Sequence, residues 1–416
     1  PLRTGQRRLA YRPAMGSRAY DRPMKLAGRM GSIGTETAFE AAARARALEA
    51  QGRDIIHLEI GEPDFDTPPH VRDAAKRALD EGATHYAPFP GIPELREAIA
   101  EDATARKGFP VAADRVFVTV GGKGVMVYAI LAAIDSGDEV IVPDPGYPIY
   151  ESLTRFIGAS PIPIPIRQAH EFRLDPDELA ALITPRTRMI VLNSPANPTG
   201  GVLTRTDLEA IAELAIRHDL WLLADEIYSR IIYEGEHISI ASLPGLAERT
   251  VVLDGFSKTF AMTGWRLGYA IVPPPLVEAF GTLIINTISC APTFVQRGAV
   301  EALRGPQDAV DAMVAEFHAR RKVIVDGLNT LPGVDCRMPA GAFYAFPDVS
   351  GTGLTGAQLA ERLLHEADVC VLAGTAFGGV GKDHIRISYA NSRPNLESAL
   401  ERMRTVLEPL AAVAGR

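Results

Sequence analysis

The sequence predicts an α/β protein: a mostly parallel sheet covered by helices on both faces, joined to a smaller α+β domain. Three observations predict it. Apolar, β-branched runs stand at 116–120, 139–142, 189–192, 220–224 and 251–253, and strands that read as near-continuous apolar runs are buried on both faces. Helical segments separate them, one running to Ile134 and another over 206–218, the alternation a parallel sheet needs. Beyond about residue 305 the pattern changes to a long charged helix, three short strands and a terminal helix.

In chain order, residues 35–51 are Ala-rich with interspersed Glu and Arg and predict a helix ended by Gly52. A strand is expected over 55–60, then the turn Gly61-Glu62-Pro63-Asp64, then a helix over 71–81 closed by Gly82. The second region should hold a helix at 309–328, strands at 343–346, 369–372 and 384–388, and a helix at 395–407. Alternating Pro and Ile over 161–166 is read as a local extended stretch and no more. The expected division is a flexible basic tail (1–30), an arm with part of the small domain (31–60), a large domain (61–305) and a small C-terminal domain (306–416).

Composition narrows the function. The chain has 416 residues, 47% hydrophobic and 23% charged, the balance of a soluble globular protein large enough for more than one domain. No apolar run approaches the roughly 18–20 residues of a membrane helix. A net charge of −8 argues against nucleic acid or an anionic membrane as partner. Three widely spaced cysteines, Cys290, Cys336 and Cys370, form neither a disulfide framework nor a zinc motif, so no metal is expected and the cytoplasm is the natural compartment. Up to Arg29 the chain carries seven arginines and Lys25 against the single acid Asp21. Without an apolar h-region this reads as a flexible tail or an over-extended start.

Four stretches carry chemistry. Gly121-Gly122-Lys123-Gly124 joins a strand to a helix; such a loop is a tight turn or a phosphate seat. It is not a dinucleotide fingerprint, because Val127 breaks the spacing from Gly122, and a nicotinamide dehydrogenase fails on that ground. Lys258 follows an apolar strand, where a lysine in partly desolvated surroundings has a lowered pKa and can form an imine. Nearby Ser257 and Arg266 are good phosphate ligands. Asp225 closes the 220–224 run and can pair with a protonated pyridine nitrogen, and Tyr228 can donate to a ring oxygen; a helix N-cap Asp would read the same. Asn193 to Gly200 is a Pro-fixed loop in which Asn197 can reach the same oxygen.

Together these stretches resemble the class I/II aminotransferases, the fold-type I pyridoxal-phosphate (PLP) enzymes, and among them the bacterial aspartate aminotransferase-like subgroup. The likeness covers the chain from about residue 30. It includes Gly61 to Phe65, residues 86–96 and 143–150, Gly341-Ala342-Phe343-Tyr344 and Arg386 to Ala390. It implies a seven-stranded, mostly parallel sheet in the large domain and pyridoxal 5′-phosphate bound to Lys258. It also implies Asp225 on the pyridine nitrogen, Tyr228 and Asn197 on the ring oxygen, and Tyr147 stacked on the ring. Gly122, Lys123, Gly124, Ser257 and Arg266 would surround the phosphate. Tyr86 resembles the tyrosine that reaches the phosphate from a neighbouring subunit, which implies a homodimer. Arg386 would grip the substrate α-carboxylate, with Gly61 letting backbone approach it.

The implied reaction is a two-half transfer of an amino group from an L-amino acid to a 2-oxo acid such as 2-oxoglutarate. For the substrate side chain the resemblance divides. Animal and enterobacterial aspartate aminotransferases use a partner-subunit arginine, and the matching stretch 283–292 has none. Lys123 can take the distal carboxylate instead, with Thr35 and Thr37 adding hydroxyls, so aspartate or glutamate is the expected donor. Aromatic or aliphatic amino acids, and a PLP lyase on the same fold, are the alternatives. A PLP-binding transcription regulator is remote, because about thirty irregular residues are fewer than the ~50 its N-terminal domain would need.

Overall fold

The structure, a computed structural model, describes residues 25–34 and 36–414. Most of the expected basic tail, residues 1–24, and Thr35 lie outside the described residues.

A seven-stranded sheet organises the larger part. Its strands stand in the order Val116–Thr119, Gly268–Ile271, Thr250–Gly255, Trp221–Asp225, Thr187–Asn193, Glu139–Asp144 and Ser160–Pro165. Gly268–Ile271 is antiparallel to both neighbours; the remaining pairings are parallel. The apolar runs are continuous because both faces are buried: Met189 and Val191 enter one core with Leu223 and Leu253, while Ile190 and Leu192 enter another with Leu222 and Ala224. That is the period-two alternation of a strand with two dry faces.

The 161–166 reading needs correction. Ser160–Pro165 is a full strand, parallel to Glu139–Asp144 and paired on that side alone. Its prolines at 161, 163 and 165 fall every second residue, so the missing N–H groups all lie on one side. An edge strand tolerates that, and pairing beyond it is blocked. The antiparallel strand Gly268–Ile271 was missed because it is four residues long and begins at a glycine. Helices Pro93–Lys107, Thr293–Arg304 and Gly356–Glu366 were also unassigned; the first opens with Pro at N1, and the last carries a capping box from Thr355 and Gln358.

Elsewhere the strands are short. Ile56–His57 pairs in parallel with Val369–Cys370, so the expected strand at 55–60 shrinks to two residues. Ile385–Ser388 lies between Leu372–Ala373 and Tyr344–Ala345, antiparallel to both. Helices Asp308–Leu328 and Arg393–Ala414 pack beside them around Phe317, Ile324, Leu396 and Met403. Tyr228 and Ile231 enter this same core, so the segment after Asp225 ties the large sheet to the smaller one. No helix among the described residues is long and apolar enough to cross a membrane.

Candidate functional site

Parallel strands deliver the chemistry at their C-terminal ends, where open α/β sheets bind ligands. Asn193 and Asp225 are register partners at two of these ends, and Gly255 ends the next strand three residues before Lys258. Asn193 ties the ends together: its Nδ2 donates to the Asp225 carbonyl (3.1 Å), and its Oδ1 accepts from the Asn197 amide (2.8 Å).

Asp225 is buried, and its carboxyl accepts from the Tyr150 hydroxyl (2.5 Å) and the Ile227 amide (3.2 Å). Burial raises its pKa to about 6, against the lowering effect of these two bonds. Two oxygens offer about four lone-pair sites, so acceptor capacity remains. Tyr150 is a site residue the sequence reading missed; the signal was its place at the end of the 143–150 match.

Lys258 donates to the Gly61 carbonyl and lies 5.7 Å from the Phe343 ring centre. Desolvation lowers its pKa to about 8, helped by Arg386 and Arg266 and opposed by Glu62 and Glu36. It is therefore closer to a free nucleophilic amine at neutral pH than a surface lysine. Gly61 is fixed by space: a Cβ there would stand 2.1 Å from the Tyr344 hydroxyl. Tyr344, also unassigned from sequence, shares a 2.8 Å hydrogen bond with the Tyr228 hydroxyl.

Arg386 sits on the central strand of the small sheet and is buried. It donates through Nη1 to Asn197 Oδ1 (3.2 Å) and through Nη2 to the Glu59 carbonyl. Its guanidinium carbon lies 4.6 Å from the Tyr344 ring centre and 5.0 Å from that of Phe377. Its Nε has no hydrogen-bond partner, and no carboxylate of the described residues pairs with it. A buried cation costs several kcal/mol unless paired, so this arginine is prepared for an anion from outside the chain.

The glycine loop forms a cationic corner. Helix Gly122–Ala133 starts with no side-chain cap, leaving Gly122, Lys123 and Gly124 in its first turn. Gly121 has φ 72° and ψ 166°, a region essentially reserved for glycine. A Cβ on it would stand 2.3 Å from Arg266 Nη2, and one on Gly268 would stand 2.7 Å from the Gly121 carbonyl carbon. Missing side chains thus let Arg266, itself held by the Thr263 carbonyl at 2.9 Å, close on a helix N-terminus. An anion such as phosphate fits there. Ser257 is buried next to Lys258 in the turn that follows Thr250–Gly255.

Tyr147 is mostly buried and its ring packs edge-on against Tyr150, centres 5.7 Å apart. Its hydroxyl donates to Glu36 Oε1 (2.7 Å), and Lys123 Nζ bonds the same oxygen. The sequence reading names Thr35 and Thr37 on either side but not Glu36. Tyr86 is 90% exposed. No cluster of metal-ligating side chains is present among the described residues.

A buried acid, a desolvated lysine, an unpaired arginine and a phosphate-shaped corner at the strand ends define a class of enzyme. A family model described as aminotransferase class I and II matches residues 53–403. The chain belongs to the class I and II aminotransferases. An aspartate aminotransferase of Pyrococcus abyssi is 44% identical over 364 residues, 86% of this chain and 93% of its own. An aromatic-amino-acid aminotransferase of Thermococcus litoralis is 43% identical, over 86% of this chain and 93% of its own. Among solved structures, an aspartate aminotransferase from Thermus thermophilus with maleate superposes at TM-score 0.88 with 41% identity, covering 92% of this chain and all of that one.

Proposed function

We propose that this protein uses pyridoxal phosphate held by Lys258 to transfer an amino group from aspartate or glutamate to a 2-oxo acid such as 2-oxoglutarate. The observation that carries the reading is Arg386, a buried guanidinium without a carboxylate partner, linked through Asn197 to the strand ends that hold Asp225. The residues fit the cofactor: the Gly121–Arg266 corner suits its phosphate, and Asp225 has acceptor capacity for its ring nitrogen. When bound, the cofactor supplies a carbonyl that captures the amine and a ring that takes up the electrons left when the Cα–H bond breaks.

This chain's residues do the rest. Arg386 grips the α-carboxylate bidentately and fixes the Cα–H bond in place, a positional effect that lysine would reproduce poorly. Lys258 would hold the cofactor and, once its amine is free, would serve as the base for the Cα proton and as the acid that returns it. Asp225, held by Tyr150, keeps the ring nitrogen protonated. Tyr228 and Asn197 would donate to the ring oxygen, and Tyr147 would pack on the ring face. Ser257, Arg266 and the amides of Gly122, Lys123 and Gly124 hold the phosphate. Lys123 meets a distal carboxylate, and Gly61 leaves room beside Tyr344.

We read the chain as an arm with part of the small domain (31–60), a large domain (61–305) and the rest of the small domain (306–416), active as a homodimer in the cytoplasm. The 90% exposed Tyr86 supports a second copy, whose site it would complete. Aromatic substrates are a second reading, favoured by Phe39, whose exposed ring stands 6.0 Å from Lys123 Nζ.

The test is the near-visible spectrum of the purified protein before and after aspartate. Conversion of the cofactor band with release of oxaloacetate is expected. A band indifferent to aspartate and glutamate would remove the acidic substrate. In Lys258→Ala the lysine-bound band and nearly all turnover should vanish; undiminished activity would sink the assignment.

A further inference from the structure

We propose that Glu36 is a specificity residue whose carboxylate occupies the seat of a substrate's distal carboxylate, and that one site thereby admits both acidic and apolar amino acids. The inference rests on the aminotransferase reading of this site.

Glu36 is the N-cap of helix Thr37–Glu49, with extended backbone, yet its side chain caps nothing. Glutamate is not among the preferred capping residues, so its carboxylate is free to bond elsewhere. Here Oε1 instead accepts from two donors across the site, Lys123 Nζ and the Tyr147 hydroxyl. Both partners belong to the large-sheet region: Lys123 lies in the first turn of its helix, and Tyr147 follows the end of Glu139–Asp144. The segment before Glu36 is docked by the Gly34 amide on Ser152 Oγ (2.8 Å). The Glu36 side chain is 16% exposed and that of Lys123 47%, so the carboxylate is shielded while its lysine partner remains open to solvent and to an incoming ligand.

The charge-assisted bond from Lys123 to Glu36 Oε1 is the one a dicarboxylate substrate would require from that lysine, and the Tyr147 hydroxyl reinforces it. While Glu36 holds that bond, the substrate side chain meets no net charge, and an apolar group can lie beside Phe39 and Tyr147. An acidic side chain must displace Glu36 to reach Lys123. Selectivity for acids is thus reduced by internal competition.

The experiment uses the PLP-loaded enzyme and two dead-end ligands, succinate and 3-phenylpropionate, titrated by absorbance or fluorescence. In Glu36→Gln the affinity ratio of succinate to 3-phenylpropionate should rise about tenfold, the scale of one charge-assisted bond released to the ligand. Adding Lys123→Met should abolish the gain. A rise under about threefold, or a gain that survives in the double variant, overturns the proposal. Circular dichroism confirms folding of each variant. Failure of the wild type to transaminate both aspartate and phenylalanine would instead overturn the substrate reading under Proposed function, separately from the binding ratio.

Discussion

Replacing Gly121 by alanine tests the phosphate corner most directly. The new methyl carbon would stand 2.3 Å from Arg266 Nη2 and 3.0 Å from its Cζ. The guanidinium cannot stay where it is. Its retreat is constrained, since Arg266 itself adopts φ 55° and Nη1 is anchored on the Thr263 carbonyl. Loss of one charge-assisted contact to a phosphate costs about 1.5–3 kcal/mol, or about ten- to a hundredfold in cofactor dissociation constant. The backbone adds a cost of its own: at φ 72° and ψ 166° an L-residue is strained by about 1–3 kcal/mol, so the cofactor-free protein should melt a few degrees lower. Titrating PLP into the cofactor-free protein, with absorbance as readout, measures the first effect, and a thermal melt the second. A variant that melts lower but binds PLP within twofold of the wild type would refute the argument, because strain would then be present without loss of the phosphate contact.

Three further outcomes follow from the geometry. Asp225→Asn should be more stable than the wild type when cofactor-free. The native carboxyl titrates near 6 instead of its usual 3.8, so the folded state binds more protons across that window and stability falls as pH rises through it, by on the order of 3 kcal/mol; urea melts at pH 4 and 7 should show the wild type losing ground and the variant not, while activity is abolished. Arg386→Lys keeps the charge but not the two-pronged grip, so kcat/KM for amino acids should fall at least about a hundredfold, read from steady-state rates across amino-acid concentrations. Lys107 is buried between Glu226 (2.8 Å) and Asp254 (2.7 Å). Lys107→Met removes the cation these two buried carboxylates share and should cost about 3–5 kcal/mol by chemical denaturation, with Ser239, Ser229 and the Gly255 amide left as their hydrogen-bond donors.

Much of this protein was legible from the chain alone. The buried strands announced themselves because a strand with two dry faces has no polar positions, and the 187–193, 221–225 and 250–255 strands fall where the apolar runs do. Lys258, Asp225, Asn197 and the glycine loop were visible as candidates because each stands within about five residues after such a run, near the end of a strand where open sheets bind ligands. Local pattern did not reach the edge strand at 160–165, whose prolines are permitted only because nothing pairs beyond it. It did not reach the antiparallel Gly268–Ile271 either, whose glycine is required by the Gly121 backbone 147 positions earlier in the chain.

The site divides the same way. The sequence determined which groups can do the chemistry, since an imine-forming lysine, a carboxylate for a ring nitrogen and a fork-shaped cation for a carboxylate are properties of residue types. Tertiary structure alone decided their electrical state and their company. Burial, not sequence neighbours, brings Lys258 down to about 8 and Asp225 up to about 6. Contacts spanning 75 to 116 positions set Tyr150 on Asp225, Tyr147 on Glu36 and Tyr344 on Tyr228. Desolvation and long-range pairing depend on what the folded chain places around a group, and no local pattern in the sequence encodes that surrounding.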